Sequence, residues 1–278
     1  MPALDFTTRI ELRSFGKPFD GIRVEQAHVF EAADRPDRFE ARLVTGARDA
    51  LARGSDPLRP GETLRAFVHR GRPDRPTLLF DGAIERVTRL RGPGASGIGV
   101  IARAHYHAPR ARMPDSRYWQ ATCGEIAEEI ARGLGLIPIV ERGGPILGLV
   151  SRSGDPLRFL RRLAADAGFE LAVSAGRLYL GTEFPETGKP FHADPFARIE
   201  EIEDLGPDGR DGVARVAVRG DPSLRPLAPV RVNGRRFTAL RVLHRIDARG
   251  WSSEAHLVRP GRAPGPARVT GRELWGES

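Results

Sequence analysis

The feature that most constrains this chain is a stretch that occurs twice. Asp56-Pro57-Leu58-Arg59-Pro60 is followed, four residues after its second proline, by Leu64-Arg65-Ala66. Asp221-Pro222-Ser223-Leu224-Arg225-Pro226 is followed at the same offset by Val230-Arg231-Val232. Further on, the first copy runs through Phe80, Ile84 and Val87 to Ala104-His105, and the second through Phe237, Leu240 and Val242 to Ala255-His256. Each copy reads as strand, turn, strand, turn, strand. With 23 Pro and 44 Lys and Arg, the chain produces chance Pro/Arg matches. Order and strand content agree here as well as letters, which is the mark of an internal duplication. Two equivalent sheets must each bury an apolar face and hide their edges.

At 278 residues and 40% hydrophobic content the chain can bury a real core and is long enough for two or three compact units. No run of eighteen apolar residues occurs. Met1-Pro2-Ala3-Leu4-Asp5 has neither a basic n-region nor an apolar h-region, so neither cleaved export nor membrane insertion is expected. The single Cys123 excludes an intrachain disulfide and a cysteine-rich zinc site, and suits assembly in a reducing compartment.

A net charge of +8 raises the question of nucleic acid. Only Lys17 and Lys189 are lysines, and the charge is unevenly spread. Residues 183–211 are acidic, with Glu200, Glu201, Glu203, Asp204, Asp208 and Asp211, while residues 212–278 carry the arginine excess. Opposite-sign patches suit charge-matched contacts between protein subunits as well as they suit a polyanion. The chain has no zinc finger, no aromatic-Gly motif of single-strand binders and no compact basic helix. A nucleic-acid-binding module using the arginine-rich C-terminal part is therefore the alternative reading, not the first.

Along the first hundred residues, Thr7–Leu12, Phe39–Leu43, Leu64–Val68, Phe80–Val87 and Ile98–Ala102 read as short strands with loop signals at Gly71-Arg72-Pro73 and Gly92-Pro93-Gly94. Short strands at this spacing predict a barrel or strongly curved sheet. After Pro109 the pattern changes. Thr122-Cys123-Gly124-Glu125 is a capping box opening a helix with Ile126, Ile130 and Leu134 on one face, stopped by Gly133 and Gly135. A second helix takes Asp155 as N-cap and Pro156 at its first position. It aligns Leu157, Leu160, Leu163, Ala164 and Ala167, and stops at Gly168. Phe169–Val173 and Leu178–Leu180 then form a hairpin across Ser174-Ala175-Gly176. Strand character returns in Phe196–Ile202 and Val213–Val218, and beyond Pro260 the Pro/Gly-rich tail reads as extended.

Signals for chemistry are sparse. His105-Tyr106-His107 has the i, i+2 spacing that sets two imidazoles on one face of a strand, which a third ligand would turn into the metal site of a hydrolase. No acidic residue or further histidine lies nearby in sequence, so an ordinary strand-end pair is the reading preferred over a metal-dependent hydrolase. There is no Gly-x-Ser-x-Gly elbow and no P-loop. Gly92–Gly97 is a hairpin loop, since no helix follows it. Cys123 sits at a helix start, where a thiolate is favoured, but without a His and acid partner it fills space. Glu128-Glu129 and Glu200-Glu201 are adjacent residues facing different ways. No catalytic, cofactor-binding or metal-binding residue is assigned, and no enzymatic activity is expected.

The block Gly154–Leu171, with Gly176-Arg177-Leu178-Tyr179-Leu180 behind it, resembles the helix–hairpin unit of the phage late control protein D family, baseplate hub proteins of contractile tails related to the N-terminal part of type VI secretion spike proteins. Three other places agree in order: the Thr122–Leu136 helix, the Val213–Gly220 strand running into Asp221-Pro222, and Val242-Leu243-His244 before Gly250-Trp251. The resemblance covers about half the chain, its motifs are degenerate, and its specificity lies in their order.

It implies an α+β, mainly β fold in which two tube-protein-like β-barrels, residues 1–110 and 190–278, bracket a small α+β insert, residues 111–189. It also implies a structural, non-enzymatic function. A homotrimer would form a ring with pseudo-sixfold symmetry, joining a hexameric tail tube to a separate trimeric spike protein and contacting other baseplate proteins. Nothing resembling the spike β-helix or its preceding barrel occurs in the sequence. Assembly in the bacterial cytoplasm and incorporation into a phage virion or phage-tail-like particle follow from the same resemblance.

Overall fold

The computed structural model describes residues 8–14, 17–19, 22–34, 36–45, 58–70, 76–92, 95–107, 113–141, 144–183, 185–187, 190–192, 202–203, 213–232, 234–258 and 260. The period-two segments become β1 (Thr8–Ser14), β2 (Lys17–Pro18), β3 (Ile22–Ala32), β4 (Arg38–Thr45), β5 (Thr63–Arg70), β6 (Thr77–Gly92) and β7 (Ala95–Ala104). The middle of the chain gives β8 (Ser116–Thr122), α1 (Cys123–Gly133), β9 (Ile137–Val140), β10 (Ile146–Arg152), α2 (Pro156–Asp166), β11 (Glu170–Ser174) and β12 (Arg177–Gly181). The last part gives β13 (Phe191–His192), β14 (Ile202–Glu203), β15 (Val213–Arg219), β16 (Pro229–Val232), β17 (Arg235–Asp247) and β18 (Gly250–Val258). The fold is α+β and mainly β. The expected strand over 196–202 lies outside the described residues except for Ile202, and so does the tail beyond 260.

The duplication is written into the backbone. Strands run β4-β7-β6-β5 in the first half and β15-β18-β17-β16 in the second, antiparallel at every step. The turn before β5 closes with Glu62 N donating to Arg59 O at 3.1 Å, and the turn before β16 with Ala228 N donating to Arg225 O at 3.1 Å. Gly61 N donates to Ile84 O and Leu227 N to Ala239 O, each at 2.7 Å. The reciprocal bonds, Ile84 N to Glu62 O and Ala239 N to Ala228 O, are 2.8 and 2.9 Å. A bulge follows at once in both copies, with Glu85 as the extra residue of β6 and Leu240 as that of β17.

These ladders fix the correspondence and correct two of the letter matches. Arg59 corresponds to Arg225, Leu64 to Val230 and Val87 to Val242, as the sequence suggests. Phe237, however, stands at the place of Gly82 and not of Phe80, because it faces Val230 as Gly82 faces Leu64. Ala255 and His256 correspond to Val100 and Ile101, not to Ala104 and His105. The side-chain identities have drifted while the hydrogen bonds have not.

Each turn has Pro at its second position and a left-handed residue at its third, the signature of a type II turn. Gly61 (φ 87°) takes this conformation without cost, whereas Leu227 (φ 68°) is a non-glycine residue forced into it.

The middle segment forms its own core. Thr122 Oγ1 accepts from Glu125 N at 3.2 Å while Glu125 Oε2 accepts from Thr122 N at 2.8 Å, the expected capping box. Asp155 Oδ1 accepts from Arg158 N at 2.6 Å ahead of Pro156. The inward faces, Ile126, Ile130 and Leu134 of α1 with Leu157, Leu160 and Ala164 of α2, close over Leu171, Val173, Leu178 and Leu180 of the β11–β12 hairpin. β9 joins that hairpin in parallel, and β8 pairs with β10 as a separate ribbon. The ribbon leaves Trp119, Ile146 and Leu149 exposed.

Replacing Gly61 by alanine puts a Cβ into a left-handed turn position, and a loss of about 1 kcal/mol is expected in denaturant unfolding. An unchanged midpoint would show that this turn is not held in the conformation described.

Candidate functional site

The two halves are one sheet because β17 belongs to both. Its first residues pair with β16, and Arg241–Ile246 pair with β3, from Arg241↔Ala32 to Ile246↔Ala27. Ala33 N extends this ladder to Leu240 O at 2.9 Å. The result is a thirteen-stranded sheet whose path runs from β14 to β2 through the β17–β3 seam. Ile246 and Trp251 of the second half complete the apolar core of the first, packing with Val29, Phe39 and Ile98.

Charged side chains lie buried along this seam, where an unpaired charge is costly and a partner is needed. Glu31 of β3 is 6% exposed. Its Oε1 takes Arg225 Nη1 at 3.1 Å, and the other end of that guanidinium donates to Leu78 O at 2.6 Å and, through Nε, to Pro222 O at 3.1 Å. Arg225 is the arginine of the second Leu-Arg-Pro copy, reaching across to the first half. A second arginine does the same. Arg241, 3% exposed, donates Nε to Asp34 Oδ1 at 3.0 Å and Nη2 to Asp34 Oδ2, a bidentate pair.

Between them sits His244, fully buried. Its Nδ1 meets Ser253 Oγ at 2.7 Å, and its Nε2 faces Glu31 Oε2 at 3.3 Å without the alignment of a hydrogen bond. The Trp251 ring packs edge-on against the imidazole, 5.7 Å between centroids. Serine, histidine and carboxylate in that order resemble a nucleophile relay. The chemistry does not follow, because Ser253 is 1% exposed and its oxygen accepts the Asp221 amide at 3.2 Å. No substrate carbonyl can reach it, and the chain of contacts ties β3, β17, β18 and the Asp221 turn together.

The insert seats on the same line. Val173 N donates to Ala33 O at 3.0 Å and Ser174 Oγ to Pro226 O at 3.1 Å, so β11 is held by one residue from each half. Ala172 and Tyr179 of the insert pack with Ala33, Leu227, Leu240 and Val258. Burial and the neighbouring Glu31 push the Asp37 carboxyl well above the ordinary carboxylate range, although its Oδ1 accepts the Ala32 amide at 3.1 Å. Burial and Asp37 likewise raise Tyr106, whose hydroxyl accepts from Asp37 N at 3.4 Å. Arg161 of α2 is lowered by burial, opposed by Asp34 and Asp155.

On the outer side of β18, burial pushes Glu254 upward, but His256, Arg215 and Arg245 outweigh it and hold the carboxyl down to about 2. Arg215 Nε lies 2.6 Å from Oε1, and Arg245 Nη2 lies 3.5 Å from Oε2.

The residues considered for catalysis are not brought together. His105–His107 is a single 3-10 turn and not the end of a strand, so the i, i+2 face does not exist there. His105 Nε2 contacts Asp81 Oδ1 at 3.1 Å, and the His107 side chain lies outside the described residues. Among the described residues no group of three His, Cys, Asp or Glu could hold a metal. Cys123 opens α1 and is buried, which pushes its thiol up to about 11 and removes its nucleophilicity at neutral pH. Glu128 pairs with Arg132 at 2.5 Å and Glu129 accepts from Tyr118 at 3.1 Å, so adjacent carboxylates do face different ways. Glu200 and Glu201 lie outside the described residues. Gly92 pairs with Ala95 across the β6–β7 hairpin. The seam residues Glu31, Asp34, Arg241 and Ser253 carry no motif. Arg225 is signalled by its place in the repeat, and His244 by the Val242-Leu243-His244 strand of the resemblance.

No family model matches the sequence, and no curated protein matches it. Solved structures do. The chain aligns with the 43 kDa tail protein of prophage MuSo2 from Shewanella oneidensis at 13% identity and TM-score 0.62, over 92% of this chain and 100% of that one. It aligns with a tail protein from Neisseria meningitidis at 12% identity and TM-score 0.62, over 91% and 96%. An E. coli component of the type VI secretion system, structurally similar to T4 bacteriophage tail proteins, aligns at 13% identity and TM-score 0.66, over 91% and 79%. The fold of this chain is thus the one used by phage tail proteins and by type VI secretion components, as the sequence resemblance implies.

Replacing Glu31 by alanine removes the carboxylate from Arg225, whose guanidinium keeps Leu78 O and Pro222 O, and a loss of about 1–3 kcal/mol in chemical denaturation is expected. The Glu254 carboxyl is depressed, so its stabilisation is present above the ordinary value of 4.5 and is lost as pH falls towards 2. Glu254→Gln should therefore be less stable than the parent by about 2–3 kcal/mol at neutral pH, with the gap closing between pH 4.5 and 2. A gap independent of pH would contradict the ion-pair assignment.

Proposed function

We propose that this chain is a structural baseplate hub protein of a contractile tail or contractile injection system. It forms a homotrimeric ring that joins a hexameric tail tube to a separate trimeric spike protein and contacts other baseplate proteins. The observation that carries this reading is the repeated four-strand unit, with the same turn hydrogen bonds and the same bulge in both copies. Three chains, each with two equivalent units, present six equivalent positions to a sixfold partner and three to a threefold one. The likeness to phage tail proteins over more than nine-tenths of the chain supports the same reading.

Residues 1–110 and 190–278 are the two barrel-forming units and 111–189 the insert that locks them at a fixed angle. The protein acts by geometry and not by catalysis, in keeping with a Ser253–His244–Glu31 chain closed to solvent. No helix among the described residues is long and apolar enough to cross a membrane. Assembly in the bacterial cytoplasm and incorporation into a phage virion or phage-tail-like particle follow from the role.

Light scattering on the purified chain, alone and mixed with tube and spike proteins of a contractile tail, is the test. A three-chain mass and a complex with both partners are expected. A chain that stays monomeric and ignores both proteins contradicts the proposal.

A further inference from the structure

The two halves of the chain repeat one another, and the insert between them has no counterpart. Its surface is also unlike theirs. Six large apolar side chains stand exposed among the described residues, and five of them, Trp119, Ile137, Ile139, Ile146 and Leu149, belong to the insert. Three of the five lie on the β8–β10 ribbon, where Trp119 is 68% exposed, Leu149 62% and Ile146 72%.

The pleat of the ribbon puts them there. Tyr118 and Val150 pair across the strands and face the core of the insert, so Trp119 and Leu149, the next pair along, face away from it. Gln120 then takes a left-handed conformation, φ 51°, that a non-glycine residue adopts only under strain. Beyond it Ala121 and Leu147 turn back towards the core and Ile146 is exposed. A largely exposed tryptophan with aliphatic neighbours and an arginine beside it is the make-up of a protein-binding patch.

Charge narrows the partner. Arg117, opposite Ser151 and on the same face as Trp119, is exposed and has no carboxylate partner among the described residues. β8 and β10 contain no acidic residue. The acids on either side of β8 are committed to backbone amides, Asp115 accepting from Gly154 N at 3.4 Å and Glu125 from Thr122 N at 2.8 Å. The outer face is apolar and cationic, and its complement is an apolar surface with a carboxylate at the rim.

Multiplicity narrows it further. In a ring of three chains the repeated units supply six equivalent positions, whereas the ribbon occurs once per chain and three times per ring. A sixfold partner cannot occupy it evenly, and a threefold partner can. Of the two ring partners in the hub reading, only the spike has three equivalent subunits.

We propose that the outer face of the β8–β10 ribbon, built on Trp119, Ile146, Leu149 and Arg117, is the docking surface for the trimeric spike protein, one ribbon to each spike subunit. The inference rests on the hub reading and assigns one of its two joints to named residues.

The test is biolayer interferometry on the full-length chain carrying Trp119→Thr, Ile146→Thr and Leu149→Thr together, against the spike protein and the tube protein of a contractile tail in separate channels. Threonine suits a strand and all three side chains are exposed, so the thermal melt should match the parent. The dissociation constant for the spike should rise at least about tenfold while that for the tube stays where it was. Arg117→Glu, which leaves the apolar residues in place, should slow association with the spike and weaken its dependence on salt. Should the triple variant fold poorly, Arg117→Glu decides alone. Unchanged spike binding, or equal losses for spike and tube, overturns the ribbon assignment and leaves the hub reading standing. A parent chain that binds neither protein overturns both.

Discussion

Everything in this molecule is referred to the antiparallel ladder between β3 and the second half of β17. Were that pairing absent, the chain would be two separate sheets with four exposed edges, bridged only through the bonds of the insert to Ala33 and Pro226. With it, Ile246 and Trp251 enter the core of the first unit, Ala33 becomes an acceptor for the insert, and Arg225 and Arg241 reach carboxylates on the opposite side. Backbone bonds set the register. The buried ions then oppose slippage, since moving one residue along would leave buried Glu31 or buried Arg241 without its partner.

The differences between the two copies report what each one faces. Leu227 occupies a turn position that glycine fills in the first copy, at a conformational cost of about 1–2 kcal/mol. The leucine side chain is wholly buried against Tyr179 and Leu240, a gain of about 1.5–3 kcal/mol that offsets the strain. Gly61 lies on an exposed turn, and the unstrained residue is used there. The same logic separates Arg225 from Arg59. Arg225 is tied to Glu31 where the chain meets itself, and Arg59 is exposed.

Much of this was legible in the letters, and what escaped has physical causes. Caps announce themselves through local chemistry, so Thr122, Glu125, Asp155 and Pro156 placed both helices correctly. Period-two alternation found β4 to β7 and β15. It failed on β3, where a bulge between Val24 and Gln26 reverses which residues face inward, and where the strand end is buried on both sides. It failed on the β8–β10 ribbon, whose Trp119, Ile146 and Leu149 point outward and break the expected polarity. The proline-arginine repeat was visible because the turn demands those residues. The register beyond it was misjudged by two positions at Phe237 and by four at His256, because a strand needs only the right face, not the right residue. The seam ion pairs join positions up to 207 apart in sequence, and no local pattern marks them.

The buried polar groups of the seam hold its strands in register. The Ser253–His244–Glu31 line shows the same economy: groups that elsewhere activate a nucleophile are here sealed and used as struts. The measurement that bears most directly on the account is electron microscopy of the proposed ring, viewed down its axis. If three chains close into that ring, two equivalent units per chain predict a sixfold component in its density. A ring with threefold density at every radius, or one with no sixfold component at all, would contradict the equivalence on which the account stands.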